Sequence, residues 1–173
     1  MMVPILGSEL LGIIVINSIA WFLAIYIPGT LIQKLPLRRF REDGFLFRIR
    51  RWEQNGRVYH ALGIKRWKEL LPDGAGLYKD GFRKKRLNLH TIDELYIKRF
   101  ILETCRAELV HWVIIALIPL FFLWNPLQVA VWMIPFGLAV NLPCLLTQRY
   151  NRPRLKKILQ RGQGRSRGRG SRS

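Results

Sequence analysis

The chain has 173 residues, enough for one domain; half of them are hydrophobic, yet the formal net charge is +18. A soluble domain of this size rarely combines the two, and a pair of cysteines excludes a disulfide framework. The conflict resolves once the charges are located. All 29 Lys and Arg fall in 34–106 and 149–173, whereas 1–33 and 107–148 contain none and carry only Glu9 and Glu108 as acids. Cys105 and Cys144 have no metal-ligand spacing and read as reduced, structural thiols.

In chain order, the first apolar run is Leu10–Ile27, closed by Pro28-Gly29. At about 18 residues it just spans a hydrocarbon core of about 30 Å. A cleaved signal peptide fails on the flanks: no Lys or Arg precedes the run, and Ile25-Tyr26-Ile27-Pro28 offers no small residues for cleavage. Asn17 and Ser18, mid-span, are expected to face other helices.

The central region, 34–106, is too basic and too short for an independent soluble domain with a large core. Its spread of aromatic residues (Phe40, Phe45, Phe47, Trp52, Tyr59, Trp67, Tyr78, Phe82) among basic ones suits the headgroup layer of a membrane. A partly disordered basic linker is the alternative. Phe45–Trp52 alternates apolar and basic residues as a strand does. Ile64–Leu71 predicts a short amphipathic helix stopped by Pro72-Asp73-Gly74. Thr91-Ile92-Asp93-Glu94 forms a capping box, which also accounts for His90 as part of a helix start. Helical periodicity then continues without a breaker, which predicts one long helix over 92–124.

The second apolar run is Leu109–Trp124 and the third Leu127–Thr147. Asn125-Pro126 is a turn signal, so the two must form an antiparallel hairpin. The expected fold is therefore an all-α membrane protein of three transmembrane helices, an anchor plus a hairpin, with a basic amphipathic region holding a short β element. The spans fall at about 10–27, 107–124 and 127–148 of a single membrane domain, 1–160. Basic residues are retained on the cytoplasmic side of a membrane, which places the N-terminus outside and the central region and C-terminus inside. The tail 161–173 is low in complexity and expected to be disordered. Beside a membrane span, attraction to anionic lipid accounts for it more simply than nucleic acid.

Polar groups inside a membrane need a reason. Glu103, Arg106, Glu108 and His111 gather at one mouth of the second helix, with Glu108 and His111 one turn apart. Asn141 and Gln148 lie two turns apart on the third, with Asn151 and Arg152 beyond. A turn centred near 125–126 puts residues whose numbers sum to about 251 at equal depth, which pairs His111 with Val140 or Asn141 and Glu103 with Gln148. Two readings stand. The residues are an active site, with His111 as general base, Glu108 orienting it and Arg106 binding an anion or stabilising an oxyanion. Alternatively they are packing glue between helices. The chain has no Gly-rich phosphate loop and no nucleophile elbow, and its single Glu108-x-x-His111 lacks the second copy a di-iron bundle needs. No metal and no bound cofactor is expected.

Glu103-Thr-Cys-Arg-Ala-Glu-Leu-Val-His-Trp112, followed by Asn141-Leu-Pro143 and Gln148-Arg-Tyr-Asn-Arg-Pro-Arg-Leu155, resembles the glycosyl-4,4'-diaponeurosporenoate acyltransferase family. These are small bacterial membrane proteins of the last step of staphyloxanthin synthesis. A weaker echo lies in Gly56, Trp67-Lys68 and Asp73-Gly74. The resemblance covers roughly 35–160 and leaves out the Arg/Gly/Ser tail. It implies transfer of a fatty acyl group, from acyl-CoA or a similar donor, to a sugar hydroxyl of a glycosylated carotenoid or related glycolipid. It carries over Glu103, Arg106, Glu108 and His111 as catalytic candidates. Asn141, Gln148, Arg149, Asn151, Arg152, Arg154, Trp67 and Lys68 carry over as substrate-binding ones, with Arg149, Arg152 and Arg154 placed to hold donor phosphates. Membrane lipid and other enzymes of the pathway are the implied partners. A function of another class, a non-enzymatic membrane adaptor binding anionic lipid or pathway enzymes, remains open on the residues alone.

Overall fold

A computed structural model describes residues 7–71 and 93–170. Three helices, Glu9–Gln33, Glu94–Leu123 and Leu127–Gln163, are long and apolar enough to cross a membrane. The first belongs to α1 (Gly7–Gln33), which runs through Pro28 and ends one and a half turns later than the Pro-Gly pair predicts. A proline removes one backbone hydrogen bond. Here the last turn outweighs that loss by packing Ile32 against Phe40 and Cys105. Most of the α1 surface is left to lipid, with Leu11 and Phe22 each 64% exposed.

The hairpin is α4 (Glu94–Leu117), a 3-10 helix over Ile118–Leu123, and α5 (Leu127–Gly170). The α4 cap is Asp93, whose carboxylate accepts from the Leu95 N–H at 2.9 Å. That start lies two residues beyond the predicted Thr91 cap; Thr91 itself is outside the described residues. Pro119 lacks the N–H that would extend the α-helical ladder, and the chain tightens into the 3-10 helix there. Asn125 then closes the turn, its Nδ2 donating to the Phe121 carbonyl at 2.8 Å. α5 contains Pro135, Pro143 and Pro153 and continues well past the apolar run, so the membrane-crossing and basic stretches are one helix. The tail predicted from 161 belongs to that helix as far as Gly170, with side chains described to Gln163.

Two close approaches set the helix positions. At Gly137 of α5 an added Cβ would come within 2.5 Å of the Ile118 Cδ1 and 2.7 Å of the Trp21 ring, so all three membrane helices converge there. At the turn end, Asn17 and Asn125 exchange side-chain amide hydrogen bonds of 2.7 and 2.8 Å, and the Trp124 indole donates to Asn17 at 3.1 Å. Asn17 therefore faces the hairpin turn, level with the ends of the second and third spans rather than mid-span among their helices. Ser18 instead donates to the Ile14 carbonyl of its own helix at 2.8 Å.

The central region packs on the basic end of the hairpin. It comprises a 3-10 turn (Leu37–Arg39), a longer 3-10 helix (Arg51–Gly56), α2 (Arg57–Ala61), α3 (Ile64–Trp67) and a final 3-10 turn (Lys68–Leu70). The amphipathic helix predicted at 64–71 is present as the last two of these; its Pro-Asp-Gly stop is outside the described residues, as are Tyr78, Phe82 and His90. The strand predicted at 45–52 is not formed, and the described residues contain no strand. The carbonyls of Leu46 and Arg48 accept from Arg149, and that of Phe47 from Arg152, so guanidinium groups occupy the acceptors a neighbouring strand would use. Gly56 is required twice over: its φ of 91° favours glycine, and an added Cβ would lie 3.1 Å from the Pro153 ring. Tyr59, Ile64 and Tyr150 form the buried cluster that seats this region on α5. Cys105 is buried and Cys144 half-buried, and neither is in a disulfide.

Candidate functional site

Opposite charges dominate the basic end of the hairpin. Glu108 on α4 is fully buried and is held by two α5 arginines, Arg149 through Nη1 and Arg152 through Nη2, each at 2.5 Å. Arg149 reaches across to Glu53 as well, at 2.6 Å through Nη2 and 3.2 Å through Nε. Glu53 also accepts from the Tyr59 hydroxyl at 2.6 Å and the Arg50 N–H at 2.8 Å. Arg152, fully buried, donates further to the Thr104 hydroxyl at 3.0 Å and the Phe47 carbonyl at 2.6 Å. Two carboxylates and two guanidinium groups thus cancel in charge. Each charged atom has a hydrogen-bond partner, which is the condition for tolerating ions away from water. Burial would raise the Glu53 carboxyl, but Arg149, the Tyr59 hydroxyl and the Arg50 N–H outweigh it and hold Glu53 below the ordinary carboxylate range. Burial, and then the Glu53 carboxylate, push the Tyr59 hydroxyl well above its ordinary value.

A second pair is separate. Arg106 bonds Glu103 at 3.0 Å, the Gln33 side chain at 2.9 Å and the Leu35 carbonyl at 2.9 Å, and its guanidinium lies over the Phe40 ring. It fastens the end of α1 to α4. Glu103 therefore meets its own-helix arginine rather than Gln148, because the i, i+3 partner is already within reach.

Closer to the membrane centre the depth rule holds. His111 Nδ1 lies 2.9 Å from Asn141 Oδ1, and Asn141 Nδ2 donates to the Gly137 carbonyl at 2.9 Å. Glu108 does not orient His111. Its oxygens are taken by Arg149 and Arg152, and by the Trp112 indole at 3.3 Å. Gln148 and Asn151 are half-buried, and their side chains hydrogen-bond no described residue.

The other candidates gather around Tyr150. The exposed Arg154 lies over its ring at 4.9 Å and hydrogen-bonds its hydroxyl, and Lys68 lies over the same ring at 5.6 Å. Trp67 packs in that cluster and donates to the Leu62 carbonyl at 3.0 Å. Glu53, Tyr59 and Thr104 are the participants that sequence reasoning passes over. Glu53 had one available signal: it is one of 11 acids in a chain of 29 Lys and Arg, set beside Arg50 and Arg51 in an aromatic stretch.

The family model described as glycosyl-4,4'-diaponeurosporenoate acyltransferase matches residues 43–161, which include Glu53, the charge network and the His111–Asn141 pair. The chain belongs to this family. Its similarity to a protein of that name from Staphylococcus aureus strain MRSA252 is 31% identity over 145 residues, covering 83% of this chain and 86% of the relative. The proteins of the same name from strains bovine RF122 / ET3-1 and USA300 are 30% identical over the same coverage. No solved structure matches. Family membership makes the chain an acyltransferase. The charge network is the frame of the basic end, whereas His111 Nε2 and the Gln148 and Asn151 amides hydrogen-bond no described residue.

Proposed function

We propose that the chain esterifies a sugar hydroxyl of a glycosylated carotenoid, or a related glycolipid, with a fatty acyl group at the cytoplasmic leaflet of the cell membrane. The names of the family and of its Staphylococcus aureus relatives support acyl transfer to a glycosylated isoprenoid. Charge supports the leaflet, since all 29 Lys and Arg lie in 34–106 and 149–173, the stretches that follow the first span and the third. In that orientation the N-terminus is outside, and the central region and C-terminus are cytoplasmic.

His111 carries the chemical reading. It is half-buried, one of its ring nitrogens is engaged by Asn141, and Nε2 hydrogen-bonds no described residue. An imidazole titrates near neutrality, which suits a general base. Nε2 takes the proton of the sugar hydroxyl as its oxygen attacks the carbonyl carbon of an acyl thioester. The C–O ester bond forms, the C–S bond breaks, and the proton passes from the imidazolium to the departing thiolate. Gln148 and Asn151 offer amide groups to the sugar hydroxyls. The thioester donor, acyl-CoA or similar, comes from the cytoplasm, where Arg154 and Lys68 are the cations of the motif nearest to water. Arg149 and Arg152 have protein partners on every guanidinium nitrogen and act in the frame rather than on donor phosphates.

The test is the His111→Ala variant in a pigment-producing host, with lipids read by mass spectrometry at equal protein level. The glycoside without its acyl chain should accumulate. Undiminished acylated glycolipid would remove His111 from the mechanism.

A further inference from the structure

We propose that Asn141 is a positioning residue that fixes His111 in the tautomer with Nδ1 protonated and Nε2 unprotonated, the form able to accept a proton from the acceptor hydroxyl. The argument is one of donors and acceptors. The Gly137 carbonyl can only accept, so the end of the Asn141 amide that faces it at 2.9 Å is Nδ2. The other end, 2.9 Å from His111 Nδ1, is then Oδ1, which also can only accept. Nδ1 must supply the hydrogen. A neutral imidazole carries one N–H, so Nε2 keeps its lone pair.

The relay has no slack. Asn141 is 2% exposed, so water does not compete for its amide. Gly137 is the point where Trp21 and Ile118 press against α5, which fixes the height of its carbonyl and hence of the asparagine one turn on. Glu108 lies one turn before His111 on α4, and Arg149 and Arg152 on α5 are the partners of Glu108. They are bonded to one another and leave Asn141 as the described partner of the ring. The opposite tautomer would strand Asn141 Oδ1 without a donor and present an N–H to the hydroxyl that must be deprotonated.

The catalytic meaning of this tautomer rests on His111 being the base, and two measurements separate the claims. The first is ¹⁵N NMR of histidine-labelled full-length protein in lipid nanodiscs, at a pH where the ring is neutral, with the His111 signals assigned by their loss in His111→Gln. Wild type should show the Nδ1–H tautomer. Asn141→Leu should lose that preference. Asn141→Asp, which when protonated donates to the Gly137 carbonyl and keeps an acceptor against Nδ1, should retain it. A wild-type ring in the Nε2–H tautomer, or no change in Asn141→Leu, overturns the proposal whatever the enzyme does. The second is acyl transfer in the pigment-producing host. Asn141→Leu should lose 10²-fold or more, about the lower bound of a general-base contribution, and Asn141→Asp should recover most of it. Equal activity in the Leu and Asp variants overturns the positioning role. Full activity in His111→Gln with the tautomer as proposed overturns the base reading instead, and with it the catalytic meaning of Asn141.

Discussion

Replacing Arg152 with Met tests the frame of the site. Arg152 is fully buried and its three nitrogens bond Thr104, Phe47 and Glu108. Met keeps much of the side-chain volume and removes the charge. Glu108 is then left buried with Arg149 as its one cation, and the Phe47 carbonyl and Thr104 hydroxyl each lose a partner. Breaking a buried pair from one side costs about 3–5 kcal/mol, which at about 2–4 °C per kcal/mol lowers the unfolding midpoint by on the order of 10 °C. The assay is thermal unfolding in a fixed detergent, run as a cycle with Glu108→Gln and the double variant. Glu108→Gln should restore part of the loss in the Arg152→Met background, because no buried charge is then stranded. A single-variant loss below about 1 kcal/mol, or a double variant that is simply additive, would refute the view that these two residues form one unit.

Three further outcomes follow from the same geometry. Glu53 has a depressed folded-state pKa, so its contribution is fully present above the unfolded carboxylate value of 4.5 and is lost as pH falls through the lower folded value. Glu53→Gln should flatten that acid limb of the unfolding midpoint against pH. Gly137→Ala puts a methyl group against Ile118 and Trp21 and should cost about 1–3 kcal/mol by overpacking, read in the same unfolding assay. Asn17→Leu breaks the amide pair with Asn125, and hydrogen bonds between membrane helices average about 0.6 kcal/mol with a maximum near 1.7. With the Trp124 bond, three such bonds are lost, so the cost should be about 2 kcal/mol and should leave the His111 end of the bundle, and so acyl transfer, largely intact.

The hairpin and the mouth of the candidate site were legible because they depend on local quantities. Length and apolarity fix a span, Asn125-Pro126 fixes a turn, and the turn fixes which residues share a depth. That arithmetic brings His111 level with Val140 or Asn141, and the structure has it 2.9 Å from Asn141. It fails for Glu103 and Glu108, because arginine side chains are long. Arg149 and Arg152 sit deeper in the basic end than the residues level with Glu108, and they reach back along the helix to it. A depth rule built on backbone rise sees no such reach.

Residues 45–52 show the same limit from the other side. Alternating Phe45, Phe47 and Ile49 with Arg48 and Arg50 is a sound strand pattern, yet a strand needs a neighbour for its carbonyls. The neighbours here are Arg149 and Arg152, about a hundred positions away, and nothing in the local sequence announces them. Pro28 likewise signals a helix end that the packing of Ile32 on Phe40 and Cys105 overrides. The sequence by itself therefore determined three membrane-length helices, the hairpin and its depth register, because hydrophobicity and chain connectivity are properties of the residues themselves. The tertiary structure decided which of the polar residues are consumed in holding the basic end together and which, His111, Gln148 and Asn151 among them, keep groups to spare. Charge pairing is a matter of side-chain reach between distant segments, and only the folded chain brings those segments within it.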